Sequence, residues 1–230
     1  MIYYQKERSV KLALVFLTTS IAGLVAAAPA AARDNTPPPG FKALFNGKNL
    51  KGWQGLVEFP QRAKLSKDEF KNKQKEANEK YLPHWSIREG ALHYDGKGQS
   101  LQTARDYQDF ELWVDWKIGP KGDTGIYLRG TPQVQIWDRP VGSGGLFNNQ
   151  KNPKDPLKKA DKPVGEWNTF RIVMKGEKVS VWLNGELVVD NVTMENYWQR
   201  NQPIPAKGPI ELQHHGNPIE FKNIYIKELK

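Results

Sequence analysis

The 230-residue chain contains no cysteine, and this absence excludes several kinds of chemistry at once. There is no disulfide framework, no thiol nucleophile, no thiolate metal site and no cysteine to carry a lipid anchor. A glycine-rich phosphate loop, a His-Glu-x-x-His motif and a Gly-x-Ser-x-Gly motif are also missing, which argues against nucleotide, zincin and serine-hydrolase chemistry. No basic–aromatic nucleic-acid motif is present, so no nucleic-acid partner is expected.

The sequence also lacks the closely spaced carboxylates on which two-carboxylate glycosidases depend. Glu111 and Asp115 are predicted to share one strand face, but they are separated by roughly 13 Å at the usual strand rise. Such a pair works at about 5 Å in retaining enzymes and at no more than about 9.5 Å in inverting ones. This pair therefore cannot perform that reaction.

Only one long apolar run is present, and it lies at the N-terminus. Residues 12–28 follow Lys6, Arg8 and Lys11 and lead into an alanine-rich segment, a pattern typical of a secretory signal peptide. We predict a signal peptide over residues 1–32; an uncleaved anchor helix is the alternative, which the short run disfavours. The remaining chain is expected in the bacterial periplasm or outside the cell, with no stable membrane anchor after cleavage.

Apolar residues in the rest of the chain fall in short alternating runs separated by turn signals. Phe110–Ile118 alternates over nine residues and predicts a strand, and Asn184-Gly185 predicts a tight hairpin turn. This spacing is typical of an all-β jelly-roll β-sandwich. We assign residues 33–40 to a linker with nothing to pack and residues 41–230 to one domain. The net charge of +9 suits either an acidic glycan or lysine-rich solvated faces.

Two segments interrupt the strand pattern. Residues 66–80 are charged nearly all round and begin with a capping box of Ser66 and Glu69, so they are predicted to form one surface helix inserted into the sandwich. Residues 139–165 form a long loop, and loops of this length in a compact domain are usually functional or disordered.

Strand alternation brings planar polar side chains together on one face of the predicted sandwich. These side chains are amides and aromatics rather than lysine and glutamate, which is what hydrogen bonding and stacking on a sugar require. A solvated outer sheet is the alternative interpretation. The predicted face comprises Tyr127, Arg129, Gln133, Gln135, Trp137, Glu211, Gln213 and His215.

Three residues near this face are candidates for chemistry. His215 is a candidate base or metal ligand because its ordinary pKa lies near neutrality, although a turn role is the alternative. By strict alternation His214 points inward and is expected to be a hydrogen-bonded core residue. Asp138 closes a strand and is either a turn cap or a second candidate base.

A series of short motifs runs through the chain after residue 39. The segments are GFKALFNG (residues 40–47), GW (52–53), YQDFEL (107–112), GIYLR (125–129), VQIWD (134–138), GEWN (165–168), LNG (183–185), LQHHG (212–216) and FKNI (221–224). Each motif is short, but their order and spacing together are specific. On these motifs the chain resembles the 3-keto-disaccharide hydrolase family, which has a concanavalin A-like jelly-roll fold. Two departures stand out, since Gln133 occupies a position where many members carry Glu, and Phe147 one where Tyr is frequent.

The resemblance implies an enzyme that cleaves the glycosidic bond of glycosides already oxidised at C3. The keto group acidifies the C2 proton, a base removes it, and the enolate expels the C1 substituent; water addition then completes hydrolysis, and without it the enzyme is a lyase. His215 or Asp138 is the expected base. Arg129, or a divalent metal ion held by His215 and Glu211, is expected to stabilise the enolate oxygen. The expected substrate-binding residues are Tyr127, Gln133, Gln135, Trp137, Glu211, Gln213 and Trp113.

The alternative function is a non-catalytic carbohydrate-binding module of the same fold. In an enzyme, the polar face should converge on a deep pocket roofed by residues 139–165. An open groove with Trp113 and Trp137 stacked along it would instead indicate binding only.

Overall fold

Two antiparallel β-sheets pack face to face around one hydrophobic core in the computed structural model, which describes residue 1 and residues 34–230. The predicted signal peptide, residues 1–32, lies outside the described residues except for its first residue. The helices are α1 (Phe59–Arg62) and α2 (Lys67–Tyr81), followed by a 3₁₀ turn at Leu82–His84. The strands are β1 (Lys42–Ala43), β2 (Trp53–Gly55), β3 (Trp85–Arg88), β4 (Ala91–Tyr94), β5 (Leu101–Thr103), β6 (Phe110–Ile118), β7 (Asp123–Leu128), β8 (Thr131–Trp137), β9 (Asn168–Lys175), β10 (Lys178–Leu183), β11 (Glu186–Thr193), β12 (Glu211–Leu212) and β13 (Ile219–Glu228).

The strand order confirms the all-β prediction. The larger sheet runs β11-β10-β9-β6-β13-β4-β3, with β1 paired to β13, and the smaller sheet runs β2-β5-β12-β7-β8. Strands from distant parts of the chain lie side by side in both sheets, for example β6 beside β13 and β5 beside β12, as they do in jelly-roll sandwiches. The architecture is the predicted jelly-roll β-sandwich.

Strand β6 shows how the alternating pattern builds the core. Every second side chain of β6 is buried between the sheets, and the intervening ones lie on the outer face. Trp116 packs against Phe170 of β9 with ring centroids 5.4 Å apart. Burial of one such side chain contributes about 1.5–3 kcal/mol. The buried residues of β6 are Phe110, Leu112, Val114, Trp116 and Ile118.

Helix α2 is the predicted surface helix, and its capping box is present. The Ser66 hydroxyl accepts a hydrogen bond from the Glu69 N–H at 3.3 Å, while the Glu69 carboxylate accepts one from the Ser66 N–H at 2.9 Å. Only Gln74 and Ala77 are buried, and Gln74 Nε2 donates to the carbonyl oxygen of Gly55 on β2 at 2.7 Å. Glycine is required there, because an added Cβ would lie 2.5 Å from the Ala77 carbonyl oxygen.

Among residues 34–230, no helix combines the length and the hydropathy needed to cross a bilayer.

The assigned linker at residues 33–40 is partly fixed to the domain, so the expectation that it cannot pack is wrong. The Asn35 N–H donates to Asn223 Oδ1 at 2.6 Å, and the Asn223 N–H donates to Asn35 Oδ1 at 3.1 Å. Asn35 Nδ2 also donates to the Gly90 carbonyl oxygen at 2.9 Å, and Lys222 pairs with Asp34 at 2.8 Å. A proline-rich composition did not reveal these side-chain bonds.

We expect Asn35→Ala to lower the free energy of unfolding by about 2 kcal/mol, because two partly buried side-chain hydrogen bonds are lost. For a domain of this size the melting temperature should fall by about 4–8 °C. Thermal unfolding followed by circular dichroism measures the effect. Asp34→Ala is the matched control and should cost less than about 1 kcal/mol, because its ion pair is exposed. An unchanged melting temperature for Asn35→Ala would show that the contact does not stabilise the domain.

Candidate functional site

A polar row crosses the five-stranded sheet on the face turned away from the core. Strand pairing aligns Gln102 of β5, Glu211 of β12, Tyr127 of β7 and Gln133 of β8 directly across four adjacent strands. Their chain neighbours are buried in the core, which fixes this row on the opposite face. The predicted shared placement of Tyr127, Gln133 and Glu211 is therefore confirmed.

Several buried amide atoms on this face have no hydrogen-bond partner. Neither side-chain amide atom of Gln102 is paired, and the side-chain oxygens of Gln133 and Gln213 are also unpaired. An unsatisfied buried polar atom costs about 1–3 kcal/mol, so it indicates a place where a ligand or water binds. Sugar hydroxyls both donate and accept hydrogen bonds and therefore match amides well.

Gln135 lies on the same face, but its amide is already held by the fold. Its Nε2 donates to Asp123 Oδ1 at 2.7 Å and to the Thr124 carbonyl oxygen at 2.9 Å, and its Oε1 accepts from Gln133 Nε2 at 3.0 Å. Gly125 leaves the space that Gln133 occupies, because an added Cβ there would overlap the Gln133 side chain. Gln135 thus orients Gln133 rather than offering its own amide donor.

Glu211 lies in a small cavity of about 80 Å³ on this face, which we call the Glu211 cavity. Its roof comes from residues 56–59 and from Trp198, which lie outside both sheets. The expected roof, the loop 139–165, does not line it; Gly144 and Gly145 of that loop instead hydrogen-bond to the main chain of Gln135 at the edge of β8. The cavity is lined by Leu56, Glu58, Phe59, Ser100, Tyr127, Trp198, Glu211, Gln213 and His214.

Burial pushes the pKa values of two groups in this cavity in opposite directions. Burial of the Glu211 carboxyl raises its pKa to about 7, a hydrogen bond from Ser100 lowers that pKa, and the negative charge of Glu58 raises it further. Burial lowers the pKa of His214, and the neighbouring His215 lowers it as well. At neutral pH the Glu211 carboxyl is therefore partly protonated, whereas an ordinary glutamate would be ionised, and the His214 imidazole is shifted toward its neutral form. Such a divergence is typical of an acid and base pair.

The structure places His214 in the cavity and His215 outside it, so strict alternation does not hold for this segment. His214 is hydrogen-bonded as expected but is not a core residue, and the exposed position of His215 matches the alternative of a turn role. Strand β12 ends at Leu212, and alternation does not continue beyond it. The His214 N–H donates to Ser100 Oγ at 3.0 Å, and His214 Nδ1 also lies 3.0 Å from Ser100 Oγ. His215 is exposed beside Gly216, whose φ is +77°.

Arg129 does not share the polar face, which corrects its predicted role. Strand β7 ends at Leu128, and Arg129 and Gly130 have φ values of 56° and 68°, as in a two-residue hairpin turn. The Arg129 guanidinium is buried; its Nε donates to the Gln108 carbonyl oxygen and its Nη2 contacts Asp109 Oδ1, both at 2.5 Å. It ties the turn to the neighbouring sheet and does not line the Glu211 cavity.

Three further predicted residues also lie away from this cavity. Trp113 is on the outer face of the eight-stranded sheet, where its Nε1 donates to Glu111 at 2.9 Å. Trp137 is buried, and its Nε1 donates to the Gly142 carbonyl oxygen at 2.6 Å. Asp138 is exposed and accepts a main-chain hydrogen bond at 2.9 Å, which is the turn-capping arrangement. None of the three lines the Glu211 cavity.

The expected divalent metal ion does not fit the residues present. The expected ligands are Glu211 and His215, but Glu211 lines the cavity and His215 does not. Within the part of the chain that the structure describes, no group of three or more histidine, aspartate or glutamate side chains is arranged to hold a metal ion. We derive no catalytic step through an ion.

A larger cavity, of about 480 Å³, lies where β6 ends and β13 begins. Its one lining carboxyl, Glu220, lies 3.0 Å from Lys117 Nζ and is neutralised by it. None of the residues of the polar row contributes to it. Volume alone therefore does not identify the site, and the Glu211 cavity has the chemistry that the larger cavity lacks.

The fold and this cavity define a β-sandwich protein with one polar, amide-rich site on its smaller sheet. The sequence profile of the 3-keto-alpha-glucoside-1,2-lyase-like domain matches residues 40–227, and the chain belongs to this family. The resemblance found in the sequence motifs is thereby confirmed.

Known relatives agree with this assignment. A 3-keto-disaccharide hydrolase of Bacteroides thetaiotaomicron is 23% identical over 248 residues, covering 83% of this chain and 79% of that protein. A candidate glycosyl hydrolase from Parabacteroides distasonis has a crystal structure with a TM-score of 0.62 and 22% identity, covering 86% of this chain and 100% of that one. A second crystal structure from the same organism has a TM-score of 0.61 and 24% identity, covering 93% of this chain and 97% of that one. These structures support the fold.

Proposed function

We propose that the protein cleaves the glycosidic bond of 3-keto glycosides by elimination across C1 and C2, followed by addition of water. The observation that carries this proposal is that Glu211 and His214 line one cavity, where burial raises the pKa of the carboxyl to about 7 and lowers the pKa of the imidazole. Membership of the 3-keto-alpha-glucoside-1,2-lyase-like family and similarity to a 3-keto-disaccharide hydrolase support the substrate class.

His214 is the proposed base. Its Nδ1 lies 3.0 Å from Ser100 Oγ, so the tautomer with a proton on Nδ1 leaves the lone pair of Nε2 available. The C2–H bond breaks, its proton passes to Nε2, and its electron pair forms the enolate of the C3 ketone. A neutral imidazole is sufficient because the adjacent ketone acidifies this proton.

Glu211 is the proposed acid. As the enolate collapses, the C1–O bond breaks and the departing oxygen takes the Glu211 proton, which leaves a C1=C2 bond conjugated to the ketone. Ser100 hydrogen-bonds to His214 and lines the same cavity as Glu211, whose pKa it lowers, so its hydroxyl is the proposed path along which the imidazolium proton returns to the carboxylate. Water then adds its oxygen to C1 and its hydrogen to C2, which completes hydrolysis.

Arg129 is not placed to stabilise the enolate oxygen, and Gln213 is the polar-face amide that lines the Glu211 cavity. Gln102 pairs directly with Glu211 across β5 and β12 and is 1% exposed, but it does not line the cavity, so we give it no contact with substrate. Gln213 is therefore the proposed amide donor to the enolate oxygen, because a preorganised donor stabilises developing negative charge effectively. The unpaired oxygen of Gln213 supplies an acceptor for a substrate hydroxyl.

The shape of the site favours an enzyme over a carbohydrate-binding module. The Glu211 cavity is a recess lined by Leu56, Glu58, Phe59 and Trp198 as well as by residues of the smaller sheet. Trp113 and Trp137, which would have lined a groove, lie on different sheets. A module needs neither a roof nor a carboxyl and histidine with displaced pKa values.

The purified protein should convert a 3-keto disaccharide and leave the unoxidised disaccharide intact. Rates are measured from the ultraviolet absorbance of the enone and from the sugar released, with and without a chelator. We expect turnover of the keto substrate alone, unaffected by the chelator. Binding of the unoxidised sugar without any turnover of the keto sugar would instead indicate a carbohydrate-binding module.

A further inference from the structure

The Glu211 cavity is too small for a whole glycoside. Its volume is about 80 Å³, whereas pockets that enclose a ligand usually measure about 300–1,000 Å³. Only the reacting edge of the keto sugar, from C1 to C3, can enter it. The rest of the substrate must therefore contact the rim of the cavity, and the rim should determine which leaving group is accepted.

Trp198 is the largest side chain at that rim. It lines the cavity, yet it is 37% exposed, so one part of the residue faces the site and another faces solvent. Its Nε1 donates to the Gly130 carbonyl oxygen at 2.7 Å, and its main-chain N–H donates to Asn196 Oδ1 at 3.0 Å. The indole is thus fixed at both its edge and its backbone before any ligand arrives.

Tyr197 extends this surface away from the cavity. Its ring lies 4.9 Å from the Trp198 ring at an angle of 77°, and it is also 37% exposed. The Arg200 guanidinium lies 5.1 Å from the Tyr197 ring centroid, on a side chain that donates to the Asn148 carbonyl oxygen at 2.6 Å. The two aromatic rings therefore form a held, partly exposed surface next to the reacting groups.

We propose that Trp198, supported by the edge-on ring of Tyr197, forms an aromatic platform for a second sugar ring, the one that departs from C1. The inference rests on the proposed function and assigns a residue to the recognition of the leaving sugar. The apolar C–H face of a pyranose ring packs on an aromatic ring, and Trp offers the largest such surface. A fixed ring loses little entropy when the sugar binds, so its contribution appears as affinity.

The test compares Trp198→Ala with wild type on two substrates, a 3-keto disaccharide and methyl 3-keto glucoside, which lacks the second ring. We expect the fall in kcat/KM to be about tenfold larger on the disaccharide than on the methyl glycoside, and to arise mainly through KM. Trp198→Phe retains an aromatic ring and should recover most of the loss. Trp167→Ala is the matched control, because Trp167 contacts Lys117 and Lys222 and does not line the cavity.

An equal loss on both substrates would show that Trp198 only supports the roof, and this would overturn the platform. An unchanged kcat/KM on the disaccharide would overturn it as well. If wild type converts neither keto substrate, the proposed function fails. The platform is then tested separately by calorimetric measurement of disaccharide binding. In that case wild type should bind the unoxidised disaccharide at least tenfold more tightly than Trp198→Ala does, and equal affinity would overturn the platform.

Discussion

Glu211→Gln should abolish turnover and at the same time stabilise the folded protein at alkaline pH. Glutamine has nearly the same shape as glutamate but has no proton to give to the departing oxygen, so we expect kcat to fall by at least 10²-fold. The stability gain follows because burial raises the pKa of Glu211 to about 7 from an ordinary value of 4.5. The two effects have opposite signs, which a merely structural role for Glu211 would not produce.

The pH window for this gain follows from the direction of the pKa shift. Below about pH 4.5 the carboxyl is protonated in both the folded and the unfolded chain, and its contribution to stability is fully present. As the pH rises toward 7 the unfolded chain releases the proton while the folded chain retains it, so stability is lost. Above pH 7 the accumulated loss is about 3 kcal/mol, and Glu211→Gln should escape it.

Urea unfolding at pH 4.5 and pH 8 measures this difference for wild type and Glu211→Gln. We expect similar stability at pH 4.5 and a variant more stable by about 3 kcal/mol at pH 8. Glu166→Gln is the matched control, because Glu166 is exposed and its substitution should leave both values unchanged. A variant with full activity, or one without a gain at pH 8, would show that Glu211 is not the buried acid.

His214→Asn should reduce turnover by about 10³-fold, whereas His215→Asn should retain activity within a factor of three. Comparing these two adjacent variants tests which histidine is the base, because His214 lines the cavity and contacts Ser100 and His215 does not. Initial rates of enone formation on a 3-keto disaccharide give the answer, and circular dichroism checks that both variants fold. If His215→Asn is the inactive variant, the strand-alternation expectation is right and the assignment of the base to His214 is wrong.

The same pair of groups predicts the shape of the pH–rate profile. Turnover should fall above about pH 7, where Glu211 loses its proton. On the acidic side it should persist below the ordinary histidine pKa, because burial lowers the pKa of His214. A profile that rises through pH 7 to 9 would contradict the assignment of Glu211 as acid.

Features set by neighbouring residues were predictable from the sequence. The alternation of Phe110–Ile118 predicted β6 with its observed bounds, and Ser66 and Glu69 predicted the start of α2. Asn184 and Gly185 both adopt positive φ between β10 and β11, as a tight hairpin requires. In each case the determining interaction spans at most a few residues, so a local pattern contains the information.

The errors arose where a strand ended before its pattern did. Alternation assumes an extended backbone, but β7 ends one residue before Arg129 and β12 ends two residues before His214. The positive φ of Arg129 turns its side chain toward Asp109, and the contact with Ser100 turns His214 toward the polar face. Such distant partners decide where a strand ends, and the two-residue alternation of the sequence contains no information about them.

Other members of the site were invisible to pattern analysis because they come from separate segments. Glu58 precedes a short helix, Ser100 precedes β5, and Trp198 lies in the connection between β11 and β12. Glu58 and Glu211 come from opposite ends of the chain and line one cavity, although no two nearby carboxylates in the sequence predicted a pair. Only the sheet order brings these positions together.

The division between sheet and roof also bears on how this architecture can change over evolutionary time. Glu211 and Gln102 belong to paired strands, whereas residues 56–59 and Trp198 belong to connections that carry no part of the sheet ladder. Insertions and substitutions in such connections are tolerated far better than changes within strands. New leaving-group preferences can therefore arise by remodelling two surface segments while the reacting groups are inherited unchanged. The β-sandwich holds the reacting groups in place, so residues 56–59 and the connection that contains Trp198 are the positions to vary in a mutant library.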